Sequence, residues 1–139
     1  MDRAKLVAQL EREEGKRNRM YLDTEGNYTI GIGFNLSDCT IPDSIIYALL
    51  DYKIDEAKSE LDRTLPWWRT MNEARQTALC AMMFQLGTAK LLGFRNALAL
   101  LQASRWDAAA DAFLDSRWAK EQCPNRAKRV TDVIRKGEF

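Results

Sequence analysis

Three residues in the first quarter of the chain, Glu14, Asp23 and Thr29, have the types and spacing for acid and base work at a single bond. Glu14 stands just before Gly15, where an acid meets the negative end of a helix and needs a compensating partner or a task. Asp23 lies nine residues further on, in the turn-forming run DTEGN, and aspartate favours such turns by bonding its own backbone. A helix end, a short strand and a turn can bring the two carboxyls to one opening. Two carboxyls in unequal surroundings divide into an acid and a base, the pair that glycosidic hydrolysis uses. Thr29 interrupts the alternating run YTIGIGF, which places Tyr28, Ile30, Ile32 and Phe34 on one strand face and Thr29, Gly31 and Gly33 on the other. A hydroxyl flanked by glycines has room to hold a water or meet a flat ligand. Bland readings stand beside these: Glu11, Glu13 and Glu14 as the solvated end of an amphipathic helix, Asp23 as a turn residue, Thr29 as a good β former.

The elements that must hold these residues follow from the pattern. Leu6, Val7 and Leu10 recur at helical spacing over residues 3–14, and Gly15 is placed to stop that helix. Residues 17–21 read as extended, DTEGN as a turn, and YTIGIGF as a strand. After Pro42 the period changes, and residues 41–65 read as one or two helices. The rest is helical. Asn72 caps the start and Gly87 the end of an apolar helix that sends Leu79, Met82, Met83 and Leu86 to a core, and Ser104 with Asp107 has the spacing of an acidic capping box. Trp67, Trp68, Trp106 and Trp118 sit among alanines and leucines as core residues. A helix opening at Pro124 carries Arg126, Lys128 and Arg129 in its first turns, where the dipole disfavours cations, so an acidic partner is expected there. The fold class is α+β, a small sheet lobe near the N-terminus and a larger helical lobe with a cleft between them.

Composition narrows the chemistry. A chain of 139 residues fits one domain, and its formal net charge of +1 gives no field toward nucleic acid or an anionic membrane. With no histidine, triads of the Ser-His type and most zinc chemistry fall away, leaving carboxylates as the expected proton carriers, and glycosidic hydrolysis by carboxyls and a positioned water requires no metal or cofactor. Cys39, Cys80 and Cys123 are odd in number and scattered, so free thiols are expected. No segment has the pattern of a signal peptide or a bilayer span, which predicts a cytoplasmic protein without stable membrane insertion. GIG lacks the continuation of a dinucleotide motif, and GTAK is no phosphate loop.

The segments EEG, YLDTEGNYTIGIG, DEAKSELD, MMFQLGTAKLLGF, LLQASRWDAAADAFLDSRW and PNRAKRV together resemble the phage lysozymes typified by the T-even phage enzyme, glycoside hydrolase family 24. The resemblance covers nearly the whole chain. It implies a lysozyme-like domain with residues 15–52 in the sheet lobe, 1–14 and 66–139 in the helical lobe, and a connecting helix around 53–65. It further implies an endolysin muramidase that hydrolyses the β-1,4 bond between N-acetylmuramic acid and N-acetylglucosamine of peptidoglycan, with Glu14, Asp23 and Thr29 as catalytic residues. Arg126 is implied as the partner of Glu14, and Glu25, Phe84 and Gln85 as substrate contacts. By the same resemblance the protein is a monomer of the host bacterial cytoplasm that reaches the wall through a holin pore in the inner membrane. The chain departs from the family at Phe34, where a histidine is common, and in the shortened segment 35–53. The alternative of another class is a non-catalytic peptidoglycan-binding or phage structural module of the same fold. A helical nucleic-acid module is a further rival, opposed by the balanced charge.

Overall fold

A computed structural model describes all residues 1–139. Backbone contacts divide the chain into two compact units, Met1–Ile46 and Tyr47–Phe139. Residues 1–14 fall in the first unit together with the strands.

The first unit begins with helix α1, Arg3–Glu14, in which the Asp2 side chain accepts from the Lys5 amide at the N-terminus and Gly15 closes the end. Gly15 takes a φ of +77°, a conformation costly to a residue with a Cβ, and its N–H donates to the Glu11 carbonyl. Leu6, Val7 and Leu10 of the expected apolar stripe stand exposed. A three-stranded antiparallel sheet follows in the order β1 (Arg17–Leu22), β2 (Tyr28–Gly31), β3 (Phe34–Asn35). Tyr21 pairs with Thr29 and Leu22 with Tyr28, with an irregularity in β1 between Arg17 and Tyr21.

The single strand read from YTIGIGF is instead a hairpin. Ile30 pairs with Phe34, and Ile32 and Gly33 form the connection. Alternation alone cannot distinguish the two, since the residues on either side of a tight turn also alternate. The turn requires left-handed backbone, which Gly31 (φ +69°) and Gly33 (φ +68°) supply. The expected bare face is therefore absent: the Phe34 ring lies on Gly31, so close that a methyl there would stand 2.6 Å from Cδ2.

Residues 41–65 form one long helix, α2 (Asp43–Thr64), opened by Pro42, whose carbonyl accepts from the Ile45 and Ile46 amides. Beyond it come a 3-10 turn, Pro66–Thr70, then α3 (Glu73–Leu86), α4 (Thr88–Leu92), α5 (Arg95–Gln102) and α6 (Trp106–Leu114). A π-helical turn, Trp118–Gln122, leads into α7 (Pro124–Lys136). Asn72 caps α3 by accepting from the Arg75 amide, and Gly87 ends it with a bond to the Met83 carbonyl, as expected. Ser104 does not cap α6. It takes a left-handed φ of 59°, and the residue at the cap position, Arg105, makes no side-chain cap bond.

Leu61, Leu79, Met82, Leu91, Leu101, Phe113 and Ile134 are fully buried and define the core of the second unit. Burying such side chains stabilises by roughly 1.5–3 kcal/mol each before entropy is counted. Trp68 and Trp118 are core residues, and Trp67 and Trp106 pack against the core half-buried. Phe94 joins Phe113 and Trp118 in tilted and edge-on contacts, with ring centroids 5.3 and 6.0 Å apart. All three cysteines are free thiols. No helix is long and apolar enough to cross a membrane.

Candidate active site

Asp23 opens the turn between β1 and β2, and the turn is built around its carboxylate. Oδ1 accepts from the Glu25 amide at 2.9 Å and the Asn27 amide at 2.8 Å, while the Asp23 amide donates to the Asn27 carbonyl at 2.9 Å. The Gly26 amide closes on the Asp23 carbonyl at 3.1 Å. Hydrogen bonds to the charged form favour it, so the amide of Asn27 first, and then that of Glu25, hold the Asp23 pKa below the ordinary aspartate range against a partial desolvation. At neutral pH this carboxyl is ionised and can accept a proton or a hydrogen bond. It is not a proton donor.

Thr29 is 3% exposed, the one buried residue of the first unit. Its hydroxyl donates to the Asn27 carbonyl at 3.0 Å, so its proton is committed. The oxygen lone pairs remain available as acceptors. Asn27 thus binds both residues through its backbone. Sequence reasoning passed over Asn27 because its contribution is made by main-chain atoms; the DTEGN turn composition was the signal that located it.

Glu14 ends α1, exposed, with its side chain against the β2 to β3 turn. A methyl on Gly33 would stand 2.7 Å from Glu14 Oε2 and 3.2 Å from its Cβ and Cδ. The first unit therefore brings the end of α1 onto one turn of the sheet while Asp23 occupies the other. Glu25 is exposed beside Asp23 and contributes its amide to that carboxylate.

The remaining candidates lie in the second unit. Phe84 is 48% exposed near the end of α3, which removes it from the core. Gln85 is partly buried and donates through Nε2 to Cys123 Sγ at 3.2 Å, leaving its buried Oε1 without a partner. Trp118 Nε1 is likewise buried and unpartnered. An unpaired buried acceptor and an unpaired buried donor are costly groups. Nothing in the sequence distinguished Trp118 from the other core tryptophans. Arg126 lies in the first turn of α7, partly buried, lining a hollow with Leu50, Ile54, Trp68, Cys80 and Phe84.

The profile of the family described as Phage lysozyme matches residues 11–135. The chain is 29% identical over 157 aligned positions to the "Probable T4-type lysozyme 1" of Dictyostelium discoideum, covering 92% of each chain. It is 31% identical over 162 positions to the "Pre-baseplate central spike protein Gp5" of Enterobacteria phage T4, covering 96% of this chain and 28% of that protein. Against the "Endolysin" of Salmonella phage P22 it is 27% identical over 117 positions, 78% of this chain and 77% of the other. With its α+β architecture and a family match that runs through both units, the chain belongs to the phage lysozyme family.

Proposed function

We propose that the protein is an inverting muramidase that hydrolyses the β-1,4 bond between N-acetylmuramic acid and N-acetylglucosamine in bacterial peptidoglycan. The observation that carries the reading is the division of labour in the first unit. Asp23 is kept ionised by amides and shares Asn27 with Thr29, while Glu14 sits apart on the neighbouring turn. In this mechanism Glu14 protonates the leaving glycosidic oxygen, and Asp23 with Thr29 orients and activates a water on the opposite face of the sugar. The Thr29 oxygen serves as an acceptor, since its proton is given to Asn27. An inverting pair stands roughly 6.5–9.5 Å apart, leaving space for that water. In this reading Phe84, Gln85 and Glu25 contact the saccharide. The reaction calls on proton transfer and positioned water alone.

The biological setting that fits is that of an endolysin, a monomer made in the host bacterial cytoplasm that gains the wall through a holin pore to release phage. The similarity to a spike protein of which this chain spans 28% favours a second setting, a wall-directed module of a phage structural assembly.

The test is release of reducing sugar ends from purified peptidoglycan by the wild type and by Glu14→Gln at matched folding. The reading expects release by the wild type and a loss of about 10²- to 10⁴-fold in the variant, with the first product in the inverted anomeric form. Wall binding by both proteins without release would replace it with the non-catalytic module.

A further inference from the structure

Gly33 has two reasons to be glycine, and they separate. Its φ of +68° is the ordinary reason, shared with Gly15 and Gly26 at +77° and +80°. Around those two, however, a methyl would meet nothing within 4 Å. At Gly33 it would meet Glu14 along the length of its side chain, from Cβ at 3.2 Å to Oε2 at 2.7 Å. The obstructed atoms belong to the residue assigned as proton donor, and a glutamate at an exposed helix end has several rotamers open to it. We infer that Gly33 is a positioning residue for Glu14: the bare Cα at the hairpin turn seats the glutamate, and any side chain there displaces the carboxyl from the scissile bond.

The inference rests on the muramidase reading for its effect on turnover, but the seat itself is a structural claim. The nearest atoms that a methyl on Gly33 would meet all belong to the Glu14 side chain, whose far end is free to turn away. The displacement therefore falls on Glu14. Misplacing a reacting group by about 1 Å costs on the order of 10²-fold, in turnover more than in substrate affinity.

Two variants test it, Gly33→Ala and Gly33→Asn, the second because asparagine accepts positive φ more readily and folds where alanine is too strained. Each is made in the wild-type and in the Glu14→Gln background and compared at matched thermal stability. Expected are nuclear Overhauser contacts between Gly33 Hα and the Glu14 side chain in the wild type. With them go a fall of about 10- to 100-fold in kcat with KM within about twofold, and a further change of less than about twofold in the Glu14→Gln background. A folded variant with wild-type kcat overturns the inference, as does an equal loss in both backgrounds. So does a wild type without the contacts. Contacts in a wild type that releases no reducing ends would uphold the seat and sink the muramidase reading.

Discussion

At the scale of single residues, the chemistry is legible where a side chain acts and hidden where the backbone does. Glu14 before Gly15, and Asp23 opening DTEGN, stand out by type and position. Asn27 does not, because its amide and carbonyl would be the same in any residue. The Asp23 carboxylate gives a prediction with a definite sign. Its folded pKa is lowered from 3.8, so its contribution to stability is complete above that value and is lost as pH falls through the lowered one. A reaction that needs this group ionised has an acidic limb below the usual aspartate range, which a pH profile of turnover will show. Asp23→Asn keeps an oxygen to accept from the Glu25 and Asn27 amides but removes the charge. We expect a thermal midpoint near that of the wild type with turnover reduced about 10²- to 10⁴-fold, measured as reducing ends.

At the scale of elements, helices were read correctly from caps and periods, and errors came where a turn imitates a longer element. YTIGIGF kept its alternation through a hairpin because Gly31 and Gly33 reverse the chain without breaking the pattern. Ser104 has a capping spacing, yet its own left-handed backbone excludes it from the cap. The join between α3 and α7 was invisible in sequence, since its partners are about sixty residues apart. Arg75 donates to the Ile134 and Arg135 carbonyls at 2.7 and 3.2 Å, and its guanidinium lies 4.0 Å from the Trp106 ring centre. Asn72 reaches the Gly137 carbonyl at 2.8 Å. A cation on the last carbonyls of α7 offsets their dipole. Arg75→Ala should destabilise by about 2 kcal/mol in urea unfolding, with no change in the slope. Gly137→Ala should act in the same direction, because its methyl would fall 2.6 Å from the Arg75 guanidinium and its φ is +72°. A second element-scale prediction concerns acid. Asp62 accepts from Arg69 through both oxygens and from Trp68 Nε1 at 2.7 Å, and its pKa falls from 3.8 to about 2, chiefly through Arg69. Its stabilisation is whole above pH 3.8 and disappears toward pH 2, and Asp62→Asn should flatten the fall in thermal midpoint across that window.

At the scale of the whole molecule, the family resemblance and the α+β class were readable because the motifs run in order through nearly all 139 residues. The allotment of buried surface was not. The first unit buries only Thr29, whereas the second holds the entire cluster from Ala57 to Ile134. A unit without a core lacks the apolar burial that offsets chain entropy. A fragment of residues 47–139 should therefore unfold cooperatively with helical circular dichroism, and a fragment of residues 1–46 should show no transition. One local feature bears on how such a chain tolerates change in length. In the turn Trp118–Gln122 the Cys123 amide bonds the Trp118 carbonyl, a ring one residue larger than that of an α-helix. Relative to an α-helical turn, the segment carries one spare residue between the buried Trp118 and the proline that opens α7. Removing one residue from this turn would let the Cys123 amide meet a carbonyl four residues back, the spacing of an ordinary helical turn.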